Sequence, residues 1–328
     1  VTIKAIGIKT GYTNSAVVEK GIVFKPVPSE FAGGDGTTAN PYQVATAEQL
    51  DNVRNHLDKY FIQTANIDLA EYLAEDGAGY NAGAGWLPIG NSASFTGSYN
   101  GNNKTIRHLI VERYGYYTAL FGQNAGTIEN VSLLEVDIEG EIYVAGLIGL
   151  NNGGTVTNCS VTGSIESTRS DNDSFAGGLI GYDEGGQISE CHSSATVNAP
   201  RGGETLGGLI GWSAGSSITN CYATGSVTGG DFNIGGLIGK SNGSSITYCY
   251  ATGAVTGSDF NIGGLIGWSD NSSITNCFAT GAVTGDENVG GLIGNNYDSN
   301  EIANSYATGE VEGTGNNVGG LVGSNSGT

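Results

Sequence analysis

Methionine is absent from the 328 residues, proline occurs five times and histidine three times, and lysine and arginine together number only twelve. Each shortage closes off a class of function. From Tyr114 to the end the basic residues are Arg169, Arg201 and Lys240, and the formal net charge is −20. No positive stripe can be assembled from these, which excludes nucleic-acid binding and disfavours anionic membrane surfaces. No window reaches the roughly 18 apolar residues of a membrane span, so this chain is not expected to insert into a bilayer. A zinc peptidase needs two histidines on one helix face with a glutamate between them. His56, His108 and His192 are too far apart for that. The five cysteines are an odd number and lack the CxxC or Cys/His spacings of zinc and redox sites. With no initiator methionine, no signal peptide, and a stop just after a GGLVG block, the chain is expected to be a piece of a longer polypeptide.

What is abundant is glycine, 57 residues of it, without the GXY period of collagen. The glycines mark a repeat. GGLIG or a close variant places a leucine at Leu120, Leu147, Leu179, Leu209, Leu237, Leu265, Leu292 and Leu321, in steps of 27 to 32 residues. About 12 residues after most of these comes NCxxTG or a relative, then a short VTG. A period in the range of about 20–50 residues signals a repeat architecture, and Val, Ile, Thr and Tyr punctuated by Gly, Asn and Ser are strand-and-turn chemistry. Within Asn233 to Gly257 three short runs stand out, NIGGLIG, SSITYCYA and AVT. Three short strands per repeat make one coil of a parallel β-helix, with coils stacked at about 4.8 Å. The fold expected is therefore all-β, a right-handed parallel β-helix of about 8–10 coils roughly 45–50 Å long, with an N-terminal capping helix. The leucine column must face the core. Counting by twos from Ile234 and from Leu237 gives opposite faces, so the glycines must bend the chain.

Ahead of the repeats the chain divides further. Residues 1–28 alternate around Ile3, Ala5 and Ile8, turn at Thr10–Gly11, and run on through Val17, Val18, Ile22 and Phe24, a strand-turn-strand piece ending in a linker. Residues 29–70 form a cap. Thr46 and Gln49 make a Thr-x-x-Gln capping box, and Leu50, Val53 and Leu57 give an apolar face, which predicts a helix over about 46–58. Such a helix protects the open strand edges of a solenoid. Residues 60–69 read as the first strand, 71–90 as a loop, and 95–111 as a second rung with a turn at Asn100–Gly101. The solenoid repeats occupy residues 71–328.

These motifs resemble known families. GGLIG with a following I-x-N-C and A-T-G-x-V resembles the GLUG repeat of bacterial surface proteins, found in adhesin-like proteins and in the non-catalytic part of IgA-specific metallopeptidases. GGDGTTANPYQVATAEQLDNVR is similar to the cap that precedes such repeats. Residues 1–24 resemble the end of the Ig-like domain at the C-terminus of chitobiases. The resemblance implies a structural unit and carries no catalytic residues.

Columns of equivalent residues supply the site candidates. Cys159, Cys191, Cys221, Cys249 and Cys277 share a column with Val131 and Ser305, a small, mostly apolar slot. Parallel Cβ vectors argue against disulfides between coils, so a structural ladder of buried thiols is expected. The residues just before, Asn130, Asn158, Glu190, Asn220, Tyr248, Asn276 and Asn304, suit a left-handed corner. Asp231, Asp259 and Asp286 form a carboxylate column that a Ca2+ between coils would relieve; exposed turn aspartates screened by water are the alternative. Tyr182, Trp212, Lys240 and Trp268 follow LIG, while Tyr222, Tyr250, Phe278 and Tyr306 follow the cysteines. Aromatic stripes on a rod are candidates for glycan contact; the alternative is ring stacking that stiffens the face, with Lys240 held between indoles by cation–π attraction. The threonine columns are too interrupted by glycine for an ice lattice.

The function expected is an extracellular structural and adhesive rod on a bacterial cell surface. It would present neighbouring domains, contact a surface glycan or protein receptor, or self-associate into fibres. It is not expected to be an enzyme or to need a cofactor. Two alternatives stand beside this. The chain is the repeat region of a secreted metallopeptidase, or it is a polysaccharide lyase or glycosidase, which would need converging carboxylates at a break in the columns. Arg169, Asp171, Asp173, Asp183 and Glu184, with Arg201 and Glu204, are the charges available for that.

Overall fold

A computed structural model describes residues 2–5, 10, 18–21, 30–169, 174–202, 204–298 and 301–326. The repeats coil into a parallel β-solenoid of about eight turns. One coil shows how the sequence writes each of them. Its strands are Phe260–Gly263, Ile266–Asp270, Ser273–Thr275, Phe278–Ala279 and Val283–Gly285. Each pairs in parallel with its copy one coil away, Ile266 with Ile293 and Ile274 with Ile302 for example. Four sheets result. The Phe-Asn-Ile-Gly strands and the Ile-Gly-x-x-x strands build sheets of eight each, the Ser-Ile-Thr strands a sheet of ten, and the last two strands of the coil share a fourth sheet. Nine steps of about 4.8 Å along the ten-stranded sheet span roughly 43 Å.

The three runs expected per coil are thus five strands. The SSITYCYA run breaks at the residue before the cysteine, which is left-handed in every coil: φ is +56° at Asn130, +50° at Asn158, +56° at Glu190, +54° at Asn220, +55° at Tyr248, +56° at Asn276 and +51° at Asn304. A left-handed residue cannot continue a strand, so the chain turns there. The turn lets Ile274, on one strand, and Cys277, just before the next, both point inward.

The bend needed at the glycines is also present, and it settles which way GGLIG faces. Ile262, Leu265 and Ile266 are all fully buried. Between them the chain reverses so sharply that a Cβ on Gly263 would lie 1.9 Å from the Ile266 carbonyl oxygen and 2.7 Å from the Gly294 amide of the next coil. No side chain fits there. Leu120, Leu147, Leu179, Leu209, Leu237 and Leu292 line the core with Leu265, and burying a side chain of that size contributes about 1.5–3 kcal/mol.

The cap is built as its sequence predicts, with shifted boundaries. The α-helix covers Ala47–Asn52 and passes into a 3-10 turn at Val53–Asn55, ending short of residue 58. It stops because His56 leaves helical geometry and the Leu57 carbonyl accepts hydrogen bonds from the Thr96 and Gly97 amides. The Thr46 Oγ1 accepts from the Gln49 amide at 3.3 Å, and Gln49 Oε1 accepts from the Ala45 amide at 2.8 Å. The first rung precedes the helix: Tyr42–Val44 pairs in parallel with Tyr60–Gln63. The expected strand at 60–69 is two, Tyr60–Gln63 and Ile67–Asp68, and the loop at 71–90 overlaps a short helix at Ala70–Leu73 and holds a 3-10 turn at Asn81–Gly83. In the second rung the left-handed residues are Asn102 and Asn103, just past the Asn100–Gly101 pair expected to turn, and His108. Near the start of the chain Thr2–Ala5 pairs antiparallel with Val18–Gly21, as expected of a strand-turn-strand piece; Ile8, Val17, Ile22 and Phe24 lie outside the described residues.

Candidate functional site

The stacking that defines the coil turns every candidate position into a column. Cys159, Cys191, Cys221, Cys249 and Cys277 are fully buried free thiols in one row. Each thiol donates to a carbonyl two residues back, Cys249 to Thr247 at 3.3 Å and Cys277 to Thr275 at 3.3 Å. At the end of the row Ser305 plays the same part, donating to the Ala303 carbonyl at 2.9 Å. Hydrogen bonding with Cys221, then burial, holds the Cys249 thiol up at about 12. Such a thiol has almost no thiolate at neutral pH and is chemically quiet.

The aromatic residues after the cysteines stack face to face along the axis. His192 and Tyr222 lie 4.7 Å apart, Tyr222 and Tyr250 4.8 Å, Tyr250 and Phe278 4.8 Å, and Phe278 and Tyr306 5.2 Å, all within 7° of parallel. The column after LIG behaves similarly. Tyr182 stacks on Trp212 at 4.8 Å, Lys240 Nζ sits 4.4 Å from the Trp212 ring and 4.8 Å from the Trp268 ring, and Trp268 meets Tyr297 at 5.9 Å. Partial burial lowers the Lys240 ammonium from its ordinary value, while Asp270 opposes that. In both columns the ring faces of Trp212, Trp268, Tyr222, Tyr250 and Phe278 are taken by neighbours above and below, and Trp212 Nε1 is buried. Tyr306, at the end of its stack, has one covered face and is 51% exposed. Rings of the neighbouring sheet, Tyr117, Tyr143 and Phe175, form a row beside this column, with Phe175 5.0 Å from Trp212 and Tyr143 5.8 Å from Tyr182.

Among the described residues the carboxylates singled out from the sequence do not converge; the carboxylates that do meet are Asp68 and Glu135, 2.8 and 3.0 Å from the two ring nitrogens of His108. Asp231, Asp259 and Asp286 follow one another along the axis, and Asp259 is raised from its ordinary value by desolvation and by the charges of Asp231, Asp286 and Glu287. Among the described residues no group of three or more His, Cys, Asp or Glu side chains is placed to hold a metal ion. Asp183 and Glu184, neighbours on one strand, point to opposite sides: Glu184 faces solvent and Asp183 is fully buried. Arg201 is exposed, Asp171 and Asp173 lie outside the described residues, and the Glu204 side chain is likewise outside them.

Two polar rows went unforeseen. The first is interior. Asn124, Asn151, Asp183, Ser213, Ser241, Ser269 and Asn296 share one buried column. Asn124 Nδ2 donates to Asn151 Oδ1 at 2.7 Å, and Asn151 Nδ2 to Asp183 Oδ1 at 2.6 Å. Asp183 Oδ2 has no partner, and burial pushes the carboxyl up to about 6 against the pull of Asn151 and Ser216. The second row is left-handed: Asn261 donates to Asn233, Asn288 to Asn261 and Asn317 to Asn288, each at 2.9 Å. Both rows were visible in sequence as small polar residues at a constant offset from the leucine.

A recess opens where the repeats begin. A cleft of about 660 Å3 is bounded by residues 82–84, Asn91 and residues 112–117. Tyr114 is 74% exposed and Tyr116 65%.

Comparison with known proteins agrees with the coil as the repeating unit. The profile of the GLUG motif matches residues 140–166, 202–228, 230–256, 258–284 and 285–312, so the chain carries GLUG repeats. A protein of Evansella cellulosilytica described as a Gly-rich membrane protein is 40% identical over 141 residues, 40% of this chain and 16% of that protein. Halomucin of Haloquadratum walsbyi is 37% identical over 142 residues, 40% of this chain and 2% of its own length. The chain thus spans a small part of the relatives it matches. The crystal structure of a protein described as an immunoglobulin A1 protease from Bacteroides ovatus superposes with a TM-score of 0.56 at 23% identity, over 87% of this chain and 80% of that one. That likeness concerns the fold.

Proposed function

We propose that this chain is a non-enzymatic, extracellular rod segment of a surface repeat protein, which extends or presents neighbouring segments and makes adhesive contact through its sides. The observation that carries the reading is the continuity of the columns. Leu265, Ile274 and Cys277 repeat coil after coil with the same partners, and the described carboxylates spread along the axis or turn inward singly, except Asp68 and Glu135, which meet at His108 as exposed pairs of 2.8 and 3.0 Å on the surface of the irregular rungs. A glycan-cutting enzyme needs an acid and a base, or a base and a cation, aimed at one bond. A spacer needs only repetition, which parallel stacking supplies at about 4.8 Å per coil. The stacked rings serve the spacer, because covered faces stiffen a side without offering a ligand surface. The Gly-rich membrane protein and halomucin that share the repeats are far longer than the matched stretch, which suits a segment used in tandem with others.

The test has two arms. Small-angle scattering of the purified chain should give an elongated particle. Incubation with a panel of neutral and acidic polysaccharides should release neither reducing ends nor unsaturated uronates. Turnover of any of them would replace the rod reading with the enzyme reading.

A further inference from the structure

We propose that the cleft beside the first regular coils is a carbohydrate subsite, with Tyr114 and Tyr116 as its stacking platform. The inference rests on the adhesive reading above and says where on the rod a sugar would be held. A sugar ring stacks its C–H face on an aromatic face and spends its hydroxyls on planar polar groups, so a site needs both uncovered rings and nearby hydrogen-bonding side chains. The interior of the stacked columns cannot give the first. Tyr222, Tyr250 and Phe278 are covered on both faces by rings one coil away, and Trp212 and Trp268 by Lys240 and a tyrosine each.

Around residues 112–117 the stacking fails. Tyr116 is tilted by 43° against Tyr117 and by 44° against Tyr143, with centroids 6.2 and 6.5 Å away, so its face is not sealed. Among the described residues no ring lies against Tyr114. Gly115 between them sits at φ +141°, with open space where a Cβ would be, which lets both tyrosines project into water. Tyr248 is exposed singly at a corner of a regular coil, whereas Tyr114 and Tyr116 are exposed together at one recess. Across the cleft the wall is Ala82, Gly83 and Ala84, too small to fill it. The volume of about 660 Å3 lies within the roughly 300–1,000 Å3 of small-molecule sites.

The polar groups are present too. Glu112, Arg113 and Asn91 line the same recess. Arg113 is fixed in place: Nε donates to the Trp86 carbonyl at 2.8 Å and Nη2 to the Gly85 carbonyl at 3.2 Å. Among the described residues it has no carboxylate partner, although the chain carries 32 acidic residues. A guanidinium held by carbonyls keeps further N–H donors for a hydroxyl or carboxylate of a ligand.

The experiment is a glycan array probed with the whole chain, followed by calorimetry with the best oligosaccharide. The variants are Y114A/Y116A, Y114F/Y116F and W212A/W268A, each checked by circular dichroism and melting. The proposal expects Y114A/Y116A to fold normally and lose at least tenfold in affinity. Y114F/Y116F, which keeps the ring faces, should bind within about threefold of the wild-type chain, as should W212A/W268A where it folds. Undiminished binding by Y114A/Y116A would overturn the subsite while leaving an adhesive rod that binds elsewhere. A wild-type chain that retains no glycan would overturn it as well, and the scattering and turnover assays would still judge the rod by themselves.

Discussion

Replacing Asp183 with asparagine should stabilise the protein, and only above mildly acidic pH. The carboxyl is buried in a column otherwise made of neutral groups. Asn151 Nδ2 donates both to Asp183 Oδ1 at 2.6 Å and to the Gly154 carbonyl at 3.1 Å. Gly186 stands one coil on from Gly154, so an amide at position 183 would have the same kind of acceptor waiting. A carboxylate oxygen in that place has nothing to accept from, and Oδ2 is left alone. Desolvation therefore raises the carboxyl from 3.8 to about 6.

The sign follows from linkage. The native state holds this proton more tightly than the unfolded chain does. The site is harmless below about pH 4, where both states are protonated. Its cost grows as pH rises through 6 and is full at neutrality. A rise from 3.8 to about 6 corresponds to roughly 3 kcal/mol at pH 7. Urea denaturation of the wild-type chain and Asp183→Asn, followed by far-UV circular dichroism and by the fluorescence of Trp212 one coil away, should give nearly equal midpoints at pH 4. At pH 7.5 the variant should be ahead by up to about 3 kcal/mol. A difference that does not change between the two pH values, or a variant weaker at pH 7.5, would refute the account of an orphaned carboxylate.

Three further outcomes follow from the columns. Tyr248 holds φ +55° at the corner that asparagine takes in most coils and is 59% exposed, so Tyr248→Asn should raise stability by about 1 kcal/mol in a thermal melt. Gly263→Ala would drive a methyl group into the Ile266 carbonyl and should cost at least about 3 kcal/mol, read as an earlier urea midpoint. The five cysteines should stay unmodified by an aromatic disulfide reagent in native buffer, even at pH 9, and all react in guanidinium, because burial shields every one and the Cys191, Cys221, Cys249 and Cys277 thiols are also raised.

Sequence reading caught what stacking repeats and missed what stacking hides. The leucine and cysteine columns were legible because parallel pairing places each residue above its own copy, and chemistry that suits one coil suits the next. The left-handed corner was legible where asparagine marks it, at Asn220 and Asn276, and it holds equally at Glu190 and Tyr248, where the residue type gives no hint. The division into five strands was not legible, since a break costs only one residue with the right φ and the β-branched residues on either side look continuous. The Asn233, Asn261 and Asn288 ladder lay inside a run taken for plain strand. By residue type alone Asp183 goes with Glu184 as one of a pair of candidate carboxylates. Its true signal was the offset it shares with Asn124, Asn151 and Ser213, where every occupant is small and polar.

The same regularity bears on recognition. A coil that repeats every 28 residues or so sets each aromatic ring about 4.8 Å from its copy, which is ring-stacking distance. A long aromatic column must therefore spend its faces on itself. That strengthens the side of the solenoid and at the same time withdraws the rings from any planar ligand. Uncovered faces arise where the period is disturbed, where a stack ends, or at a corner such as Tyr248. In the described chain the disturbance that also offers volume, small opposing residues and unpaired hydrogen-bond donors is the junction of the irregular rungs with the first regular coils, around Tyr114 and Tyr116. A rod built this way separates its two tasks along its length: the uniform coils carry reach and stiffness, and selectivity belongs to the irregular junction.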